Sequence, residues 1–297
     1  MQTSAADVAG TQPTAGYALG YSDAEQDRLI RQAAVIAPNT ERFFREAGIR
    51  AGQRVLDLGS GMGDVAMLVA GLVGPLGEVV GIERDASSIA RAKARVAAAG
   101  LRNVHFLNSD VNSIAADEPF DAAVGRFILM YLPDPVSVLR SVGRLVRPWG
   151  VVAFQEPSWE AMLAVGAGLP LWSKVKHLIH EILLRSGANP EIGPALYRAF
   201  QEAGLPSPKM HLEMPLGNDA DFIRLTSGLL YSLRPLAEQH KVSLRELGDL
   251  HTLPDRISAE VAEANTVVSL IALVGAWSRK PTTADSVHSE AVARQRE

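Results

Sequence analysis

Residues 55–64 read Val-Leu-Asp-Leu-Gly-Ser-Gly-Met-Gly-Asp, and this stretch decides the fold. A short apolar run enters three glycines at alternate positions, Gly59, Gly61 and Gly63, and a helical pattern begins directly after them. Glycines let the backbone approach a ligand at places where a Cβ atom would collide with it. The stretch therefore predicts a strand, a sharp turn beneath a bound ligand, and a helix. A plain strand-to-helix turn is the simpler alternative.

A carboxylate follows at the end of the next apolar run. Val79–Ile82 leads into Glu83, twenty residues after Gly63, and an acid at a second strand end suits a pair of ribose hydroxyls. The dinucleotide fingerprint G-x-G-x-x-G requires glycine at position 64, where this chain has Asp64. A carboxylate there would repel a pyrophosphate seated at the helix N-terminus. The pattern therefore indicates a nucleoside ligand without phosphates.

Three later segments carry further landmarks: Asn108-Ser109-Asp110, Phe120–Val124 and Leu145–Gly150. Together with the glycine stretch, they resemble the class I S-adenosylmethionine-dependent methyltransferases over residues 52–155. The resemblance implies the α/β fold of that family, a doubly wound and mostly parallel seven-stranded sheet with an N-terminal helical lid and a helical cap insertion. It also implies S-adenosyl-L-methionine as the cofactor. Trp149 departs from the family's usual Pro-Gly-Gly turn.

The resemblance assigns a part of the cofactor to several residues. It places Glu83 at the ribose, Asp110 near the adenine amino group, and Arg126 at the methionine moiety. Asp57 would anchor the glycine loop or face the methionine amine. The other predicted cofactor contacts lie in the loops after the first three strands and in a segment before the first helix: Gly59, Ser60, Gly61, Gly63, Arg84, Val111, Tyr17 and Tyr21.

Each assignment has a simpler structural alternative. Glu83 could be a solvated acid in a turn, Asp110 a helix cap, and Arg126 a strand-end cation that pairs with a nearby acid. By the resemblance, Tyr17 and Tyr21 would fold over the cofactor as a lid. Otherwise they would belong to a loop that packs on the core.

Two residues are candidates for a general base in methyl transfer. Glu156 is predicted at the tip of the fifth strand, facing the acceptor, and His177 lies with His180 on one face of a predicted cap helix. A solvated acid and a surface helix face are the respective alternatives. A base is required only for an acceptor that is protonated at working pH, because the sulfonium is already a strong electrophile. Residues that could line an apolar acceptor pocket, or simply pack in the core, are Trp159, Met162, Trp172, Phe222 and Tyr231.

The sequence predicts one methyltransferase domain, residues 17–280, between two disordered tails at 1–16 and 281–297. It begins with a helical lead-in at 23–50, which Pro38 should break into two helices, and continues with the cofactor-binding core at 52–156. A helical cap at 157–205 and C-terminal helices with an edge hairpin at 206–280 complete the domain. The predicted strands are 54–58, 78–82, 104–107, 121–127, 151–155, 209–215 and 267–277.

Composition narrows the function further. The formal net charge is −4 and there is no basic tract, so we expect no nucleic-acid partner. The chain has no cysteine, which excludes thiolate metal sites and cysteine nucleophiles and fits a reducing, cytoplasmic interior. The sequence shows no signal peptide, no apolar run long enough to span a membrane, and no metal-binding motif.

The sequence therefore predicts S-adenosylmethionine-dependent methyl transfer to an O, N or C nucleophile of a small organic molecule, such as a secondary metabolite. A homodimer is left open. One alternative is a protein of this fold that binds the cofactor without methylating, as a regulatory module or a cyclisation catalyst. An NAD-dependent oxidoreductase is disfavoured by Asp64.

Overall fold

The computed structural model describes residues 23–111, 113–114, 117–166 and 168–281. Tyr17 and Tyr21 lie outside the described residues, so the lid they were expected to form stays a prediction. The same holds for the predicted tails, apart from Pro281. None of the described helices is long and apolar enough to cross a membrane.

Helices and strands alternate in the first half of the chain, and helices dominate the second half. The helices are α1 (Asp23–Ala47), α2 (Asp64–Val73), α3 (Ala86–Ala98), α4 (Pro135–Leu145), α5 (Trp159–Ala164), α6 (Pro170–Arg185), α7 (Ile192–Glu202), α8 (Ala220–Ser232), α9 (Arg234–Gln239) and α10 (Leu253–Glu263). The strands are β1 (Arg54–Leu58), β2 (Glu78–Glu83), β3 (Val104–Asn108), β4 (Phe120–Arg126), β5 (Val146–Ser158), β6 (Lys209–Glu213), β7 (Leu216–Gly217), β8 (Val268–Ser269) and β9 (Ala272–Arg279).

Seven strands form one sheet in the order β3-β2-β1-β4-β5-β9-β6. The first five are parallel, and β9 is antiparallel to both β5 and β6. This confirms the predicted doubly wound, mostly parallel sheet. From β1 the chain adds β2 and β3 on one side, and it then adds β4 and β5 on the other side. The loops after β1 and β4 therefore lie next to each other at one edge of the sheet. Ligands of open α/β sheets bind at such a switch point, outside the carboxyl ends of the strands.

The sheet is covered on both faces, which explains why its strands are apolar almost throughout. Along β1, Val55 packs with α2 and α3 on one face, whereas Leu56 and Leu58 belong to the larger core on the other face. All three are fully buried. The backbone of β1 is thereby fixed on both sides, so the loop that follows it begins from a rigid support.

The predicted break at Pro38 is wrong, because α1 runs from Asp23 to Ala47 with Pro38 inside it. A proline within a helix removes one hydrogen bond and costs about 3 kcal/mol. The following turns bury Phe43 and Phe44 completely, and burying each phenylalanine contributes about 1.5–3 kcal/mol. The tertiary contacts therefore offset the cost of the proline and keep the helix continuous.

The strands near the sheet edge differ in length from the predicted ones. β5 begins at Val146 and ends at Ser158, so it includes the turn that contains Trp149. Trp149 has φ 64°, a left-handed conformation that glycine adopts more readily, and its amide donates to the Lys280 carbonyl at 3.1 Å. The predicted last strand is divided between β8, which pairs with β7, and β9 in the main sheet.

Candidate active site

A cavity of about 190 Å³ lies at the carboxyl ends of β1, β2, β3 and β4, where α1 covers it; we call it the strand-end cavity. The structure brings most of the predicted cofactor residues to its wall, namely Gly59, Ser60, Gly61, Glu83, Arg84, Asp110, Val111 and Arg126. Asp57 and Gly63 lie behind this wall rather than in it. The sequence prediction missed the contribution of α1, which adds Gln26, Leu29, Gln32, Ala33 and Ile36.

The glycine loop is shaped by two different requirements. Gly61 has φ 50°, and no atom lies within 4 Å of the position its Cβ would take, so this face of the loop is open. Gly59 has φ 64°, and a Cβ there would lie 2.6 Å from Cδ1 of Ile128. Position 61 therefore lets a ligand approach the backbone, whereas position 59 lets the loop after β4 pack closely.

Glu83 fixes the glycine loop to the end of β2. Its Oε2 accepts a hydrogen bond from the Gly61 amide at 3.0 Å, and its Oε1 accepts from the amides of Arg84 and Asp85 at 2.8 and 2.9 Å. The side chain is only half-buried and lines the strand-end cavity. Its carboxylate is therefore held in one orientation while remaining accessible to a ligand.

Two charged side chains lie near the loop, the buried Asp57 and the half-buried Arg126. Asp57 is 1% exposed, and neither of its carboxylate oxygens accepts a hydrogen bond from the part of the chain that the structure describes. Burial raises the pKa of Asp57 well above its ordinary value, and the positive charge of Arg126 opposes that rise. Burial likewise lowers the pKa of Arg126, while Asp64 and Asp57 raise it. Each charge therefore helps to keep the other ionised.

Arg126 connects the strand-end cavity to α1. Its Nη1 donates to the Thr40 hydroxyl at 2.9 Å, and that hydroxyl lies 2.7 Å from Oε1 of Gln155. Thr40 and Gln155 are fully buried. The hydrogen bonds therefore join α1, β4 and β5 beneath the cavity and fix the direction of the Arg126 side chain.

Comparison with known proteins identifies the fold and the family. The family model of the methyltransferase domain matches residues 49–204, which include the glycine loop and every strand of the parallel part of the sheet. The chain belongs to the class I S-adenosylmethionine-dependent methyltransferases. S-adenosylmethionine is the cofactor of this family, as the resemblance had implied.

Individual relatives agree with this assignment. The arsenite methyltransferase of Halobacterium salinarum is 29% identical over 147 residues, covering 49% of this chain and 37% of that protein. The demethylmenaquinone methyltransferase of Staphylococcus aureus is 28% identical over 176 residues, covering 55% and 72%. A solved structure from Bacillus halodurans superimposes with a TM-score of 0.53 at 17% identity, covering 81% of this chain and 98% of the other. The chain thus spans little more than a third of the arsenite enzyme's length.

The strand-end cavity fits the cofactor of the methyltransferase family on three observations. The open face of Gly61 leaves room for a ligand against bare backbone. Ser60 lines the cavity, and its buried hydroxyl has no hydrogen-bond partner among the described residues. Asp64 stands in the wall at the start of α2 and pairs with Arg95 at 2.8 Å. A carboxylate at that place suits a nucleoside sulfonium, which carries no phosphate.

A second cavity of about 80 Å³ adjoins the first, and we call it the apolar chamber. Leu29, Gln32, Phe127 and Tyr131 line both cavities, so these residues form the junction between them. Of the residues considered for an acceptor pocket, Trp159 and Met162 line the chamber. Trp172 and Phe222 are instead buried in the core, and Tyr231 is 46% exposed on the surface.

The loop at the junction is strained and anchored. Phe127 has φ 55°, which is an uncommon conformation for a bulky residue and is found most often at functional sites. The next three amides, those of Ile128, Leu129 and Met130, donate to the carboxylate of Glu156 at 3.0, 3.0 and 3.3 Å. Glu156 is fully buried and lines neither cavity. Burial raises its pKa to about 7, although the three amides lower it.

The structure does not bring His177 to the site. Its side chain is exposed on α6, and its Nδ1 lies 2.7 Å from the Ser173 carbonyl one turn earlier. His180, on the same helix, stacks on Trp159 and lies 3.6 Å from Glu191. Neither histidine lines the strand-end cavity or the apolar chamber. The surface-helix alternative therefore describes His177 better than a catalytic role.

Proposed function

We propose that this chain transfers the methyl group of S-adenosylmethionine to a small organic acceptor bound in the apolar chamber. One observation carries the proposal: the cavity that fits the cofactor shares four wall residues with a second cavity that has a mostly apolar lining. A methyl donor in one and an acceptor in the other would meet at the junction. The reaction needs little more than this alignment, because positioning two reactants lowers the activation barrier by several kcal/mol.

Each part of the cofactor has a proposed partner in the strand-end cavity. Glu83 would accept hydrogen bonds from the ribose hydroxyls, and Asp110 would lie near the adenine amino group. Arg126 would bind the methionine carboxylate, supported from behind by Thr40. Asp57, which lies behind the cavity wall, would not contact the cofactor but would balance the positive charge of Arg126.

Glu156 has a positioning role in this proposal rather than that of a base. Within the described residues, its carboxylate accepts hydrogen bonds from three amides of the junction loop, and its side chain is fully buried. A carboxylate that accepts these bonds holds Phe127 in its strained conformation between donor and acceptor. A base is then unnecessary for any acceptor that ionises before transfer.

The two named relatives act on chemically different acceptors, arsenite and demethylmenaquinone. This chain has no cysteine to offer a thiolate to a soft element such as arsenic. Its chamber is lined mostly by carbon, with leucine, methionine and aromatic side chains. An organic acceptor therefore suits the chain better than arsenite.

Calorimetric titration with S-adenosylhomocysteine and with NADH tests the cofactor assignment, and transfer of labelled methyl from S-adenosylmethionine to a panel of aromatic acceptors tests the reaction. We expect S-adenosylhomocysteine to bind and NADH not to bind. Tight NADH binding without S-adenosylhomocysteine binding would reject the proposal. Cofactor binding with no transfer to any acceptor would favour a protein that binds the cofactor without methylating.

A further inference from the structure

The apolar chamber contains a short polar strip, and this strip carries information about the acceptor. Among the described residues of its wall, hydrogen-bonding side chains come from α1 (Arg28 and Gln32), from α8 (Thr226) and from α5 (the indole N–H of Trp159). Tyr131 adds a hydroxyl at the junction. The rest of the wall is mainly apolar and includes Met162, Leu183, Leu225 and Leu270. An acceptor that presents its polar group toward α1 would therefore meet two of these side chains, Arg28 and Gln32.

Arg28 is held rigidly within the polar strip. It is 4% exposed and makes a two-pronged contact with the buried Glu25, with Nε and Nη2 donating at 2.7 and 2.5 Å. Helix α8 passes directly beside it: a Cβ added to Gly228 would lie 3.4 Å from Cδ of Arg28. A buried carboxylate and guanidinium joined in this way form a neutral unit with fixed geometry.

The Glu25–Arg28 pair determines which way the Gln32 side chain faces. Nη1 of Arg28 donates to Oε1 of Gln32 at 2.7 Å. A guanidinium can only donate, so Gln32 must turn its oxygen toward Arg28 and its NH₂ group away from it. In the residues that the structure covers, no hydrogen bond uses that NH₂ group. Gln32 lies at the junction of the two cavities, so a donor of fixed direction is available where methyl transfer would occur.

We propose that Gln32 orients the acceptor by donating a hydrogen bond to its nucleophilic oxygen, and that the acceptor is a small, mostly apolar phenol or enol. This inference rests on the proposed function. In the reaction, the hydroxyl proton leaves to bulk water, an oxygen lone pair forms the new O–C bond, and the C–S bond breaks with its electrons retained by sulfur. The Gln32 NH₂ group occupies one lone pair of the oxygen and leaves another directed at the methyl carbon. An amine presents N–H groups to the same NH₂ and is oriented less well.

The chamber size selects the probes. At about 80 Å³ it is smaller than the roughly 150 Å³ cavity that holds benzene in an engineered protein, so a single ring must occupy the chamber and the junction together. 4-Methylphenol and 4-methylaniline are a matched pair of this size that differ only in the reacting atom. Their dissociation constants are measured by ligand-detected NMR with the protein saturated by S-adenosylhomocysteine. Methylation is followed with labelled S-adenosylmethionine.

Gln32→Met keeps the length of the side chain and removes the donor. It should weaken 4-methylphenol binding and slow its methylation by at least tenfold, while the same constants for 4-methylaniline stay within twofold. Gln32→Glu, which replaces NH₂ by an acceptor oxygen, should reduce phenol methylation further. Gln239→Met, on an exposed glutamine at the end of α9, is the matched control and should change nothing.

Arg28 is a positioning residue in this inference, so its replacement has a different signature. Arg28→Lys keeps the charge beside Glu25 but loses the fork that holds Gln32. The preference for 4-methylphenol over 4-methylaniline should fall toward that of Gln32→Met, with a larger loss in kcat than in KM. If binding and methylation fall by the same factor for 4-methylphenol and 4-methylaniline, the role of Arg28 is merely structural.

Three results would overturn the inference while leaving the proposed function intact. They are unchanged phenol methylation in Gln32→Met, equal losses for phenol and aniline, and a wild-type chain that prefers aniline or binds neither probe. Failure of the wild-type chain to bind S-adenosylhomocysteine is a separate result, because it would reject the proposed function itself. Thermal melting of each variant confirms that the comparison is made between folded proteins.

Discussion

The strand-end cavity and the apolar chamber share a wall but are built by different means. The first depends at its centre on backbone, with glycines at the loop and main-chain amides that fix the Glu83 carboxylate. The second is bounded by side chains from α1, α5, α6, α8 and the segment before β9, which are distant from one another in sequence. Backbone geometry restricts which residues can occupy a position, whereas an apolar wall accepts many. The first cavity can therefore be recognised in a sequence and the second cannot.

The largest expected effect tests whether the strand-end cavity depends on bare backbone. Gly61→Val should abolish S-adenosylhomocysteine binding, by at least a thousandfold or about 4 kcal/mol, because a branched side chain would fill the open face of the loop. Gly52→Val is the matched control, since Gly52 also has positive φ and open space around its Cβ position but lies outside the cavity. Both variants carry backbone strain, so calorimetry separates strain from occlusion. Equal binding by the two variants would show that the loop does not touch the cofactor.

A second prediction concerns the anchor of the junction. Burial raises the pKa of Glu156 from 4.5 to about 7, so the folded protein retains a proton that the unfolded chain releases between these values. The contribution of this group to stability is fully present below pH 4.5 and falls by about 3 kcal/mol as the pH rises through 7. Glu156→Gln removes that slope. The free energy of unfolding of the variant, measured relative to that of the wild type, should therefore rise by most of this amount between pH 5 and pH 8.

Denaturant unfolding at the two pH values measures the effect, with the exposed Glu160→Gln as control. A constant difference between wild type and Glu156→Gln would contradict the buried, junction-anchoring role. The same variant should lower kcat more than it weakens cofactor binding, because it loosens the loop of Phe127 rather than the strand-end cavity.

A smaller effect is expected from the predicted ribose ligand. Glu83→Ala should weaken S-adenosylhomocysteine binding by roughly 1–3 kcal/mol, because ribose hydroxyls lose a charged acceptor and the Gly61 amide loses its partner. Glu78→Ala, at the other end of β2, provides the control. If titration gives the same dissociation constant for both variants, Glu83 does not contact the cofactor.

The smallest effect is expected at the histidine proposed from the sequence. His177→Ala should keep kcat and the cofactor dissociation constant within about twofold of the wild type, because the side chain is exposed and lies outside both cavities. Steady-state kinetics with any accepted substrate provides the measurement. A tenfold loss of kcat would mean that α6 moves over the site during turnover.

These differences also explain how far the sequence predicted the molecule. The positions of the parallel strands and the strand–turn–helix geometry of the glycine loop were predicted correctly because each is set by local rules, namely apolar runs and positive φ. The doubly wound, mostly parallel sheet followed from the alternation of strands and helices together with the family resemblance. The late strands were displaced because their limits depend on the partner strand rather than on their own composition.

The failures share a different cause. Pro38 predicts a break by a local rule, but the burial of Phe43 and Phe44 keeps α1 continuous. Glu156 has the same sequence signature as a solvated strand-end acid, and only the return of the junction loop shows that its carboxylate is engaged. Gln32 carries no motif at all. Its orientation depends on Arg28, which depends in turn on Glu25, and such a chain of contacts becomes visible only when the helix is placed against both cavities.

Helix α1 has a consequence for the kinetics of turnover. Leu29 and Gln32, on adjacent turns of this helix, belong to the walls of both cavities, so a displacement of this part of the helix opens both at the same time. Entry of an acceptor and departure of spent cofactor would then occur during one opening event. The two products should leave at similar rates, and the frequency of that opening, rather than the transfer of the methyl group, should limit the steady-state rate.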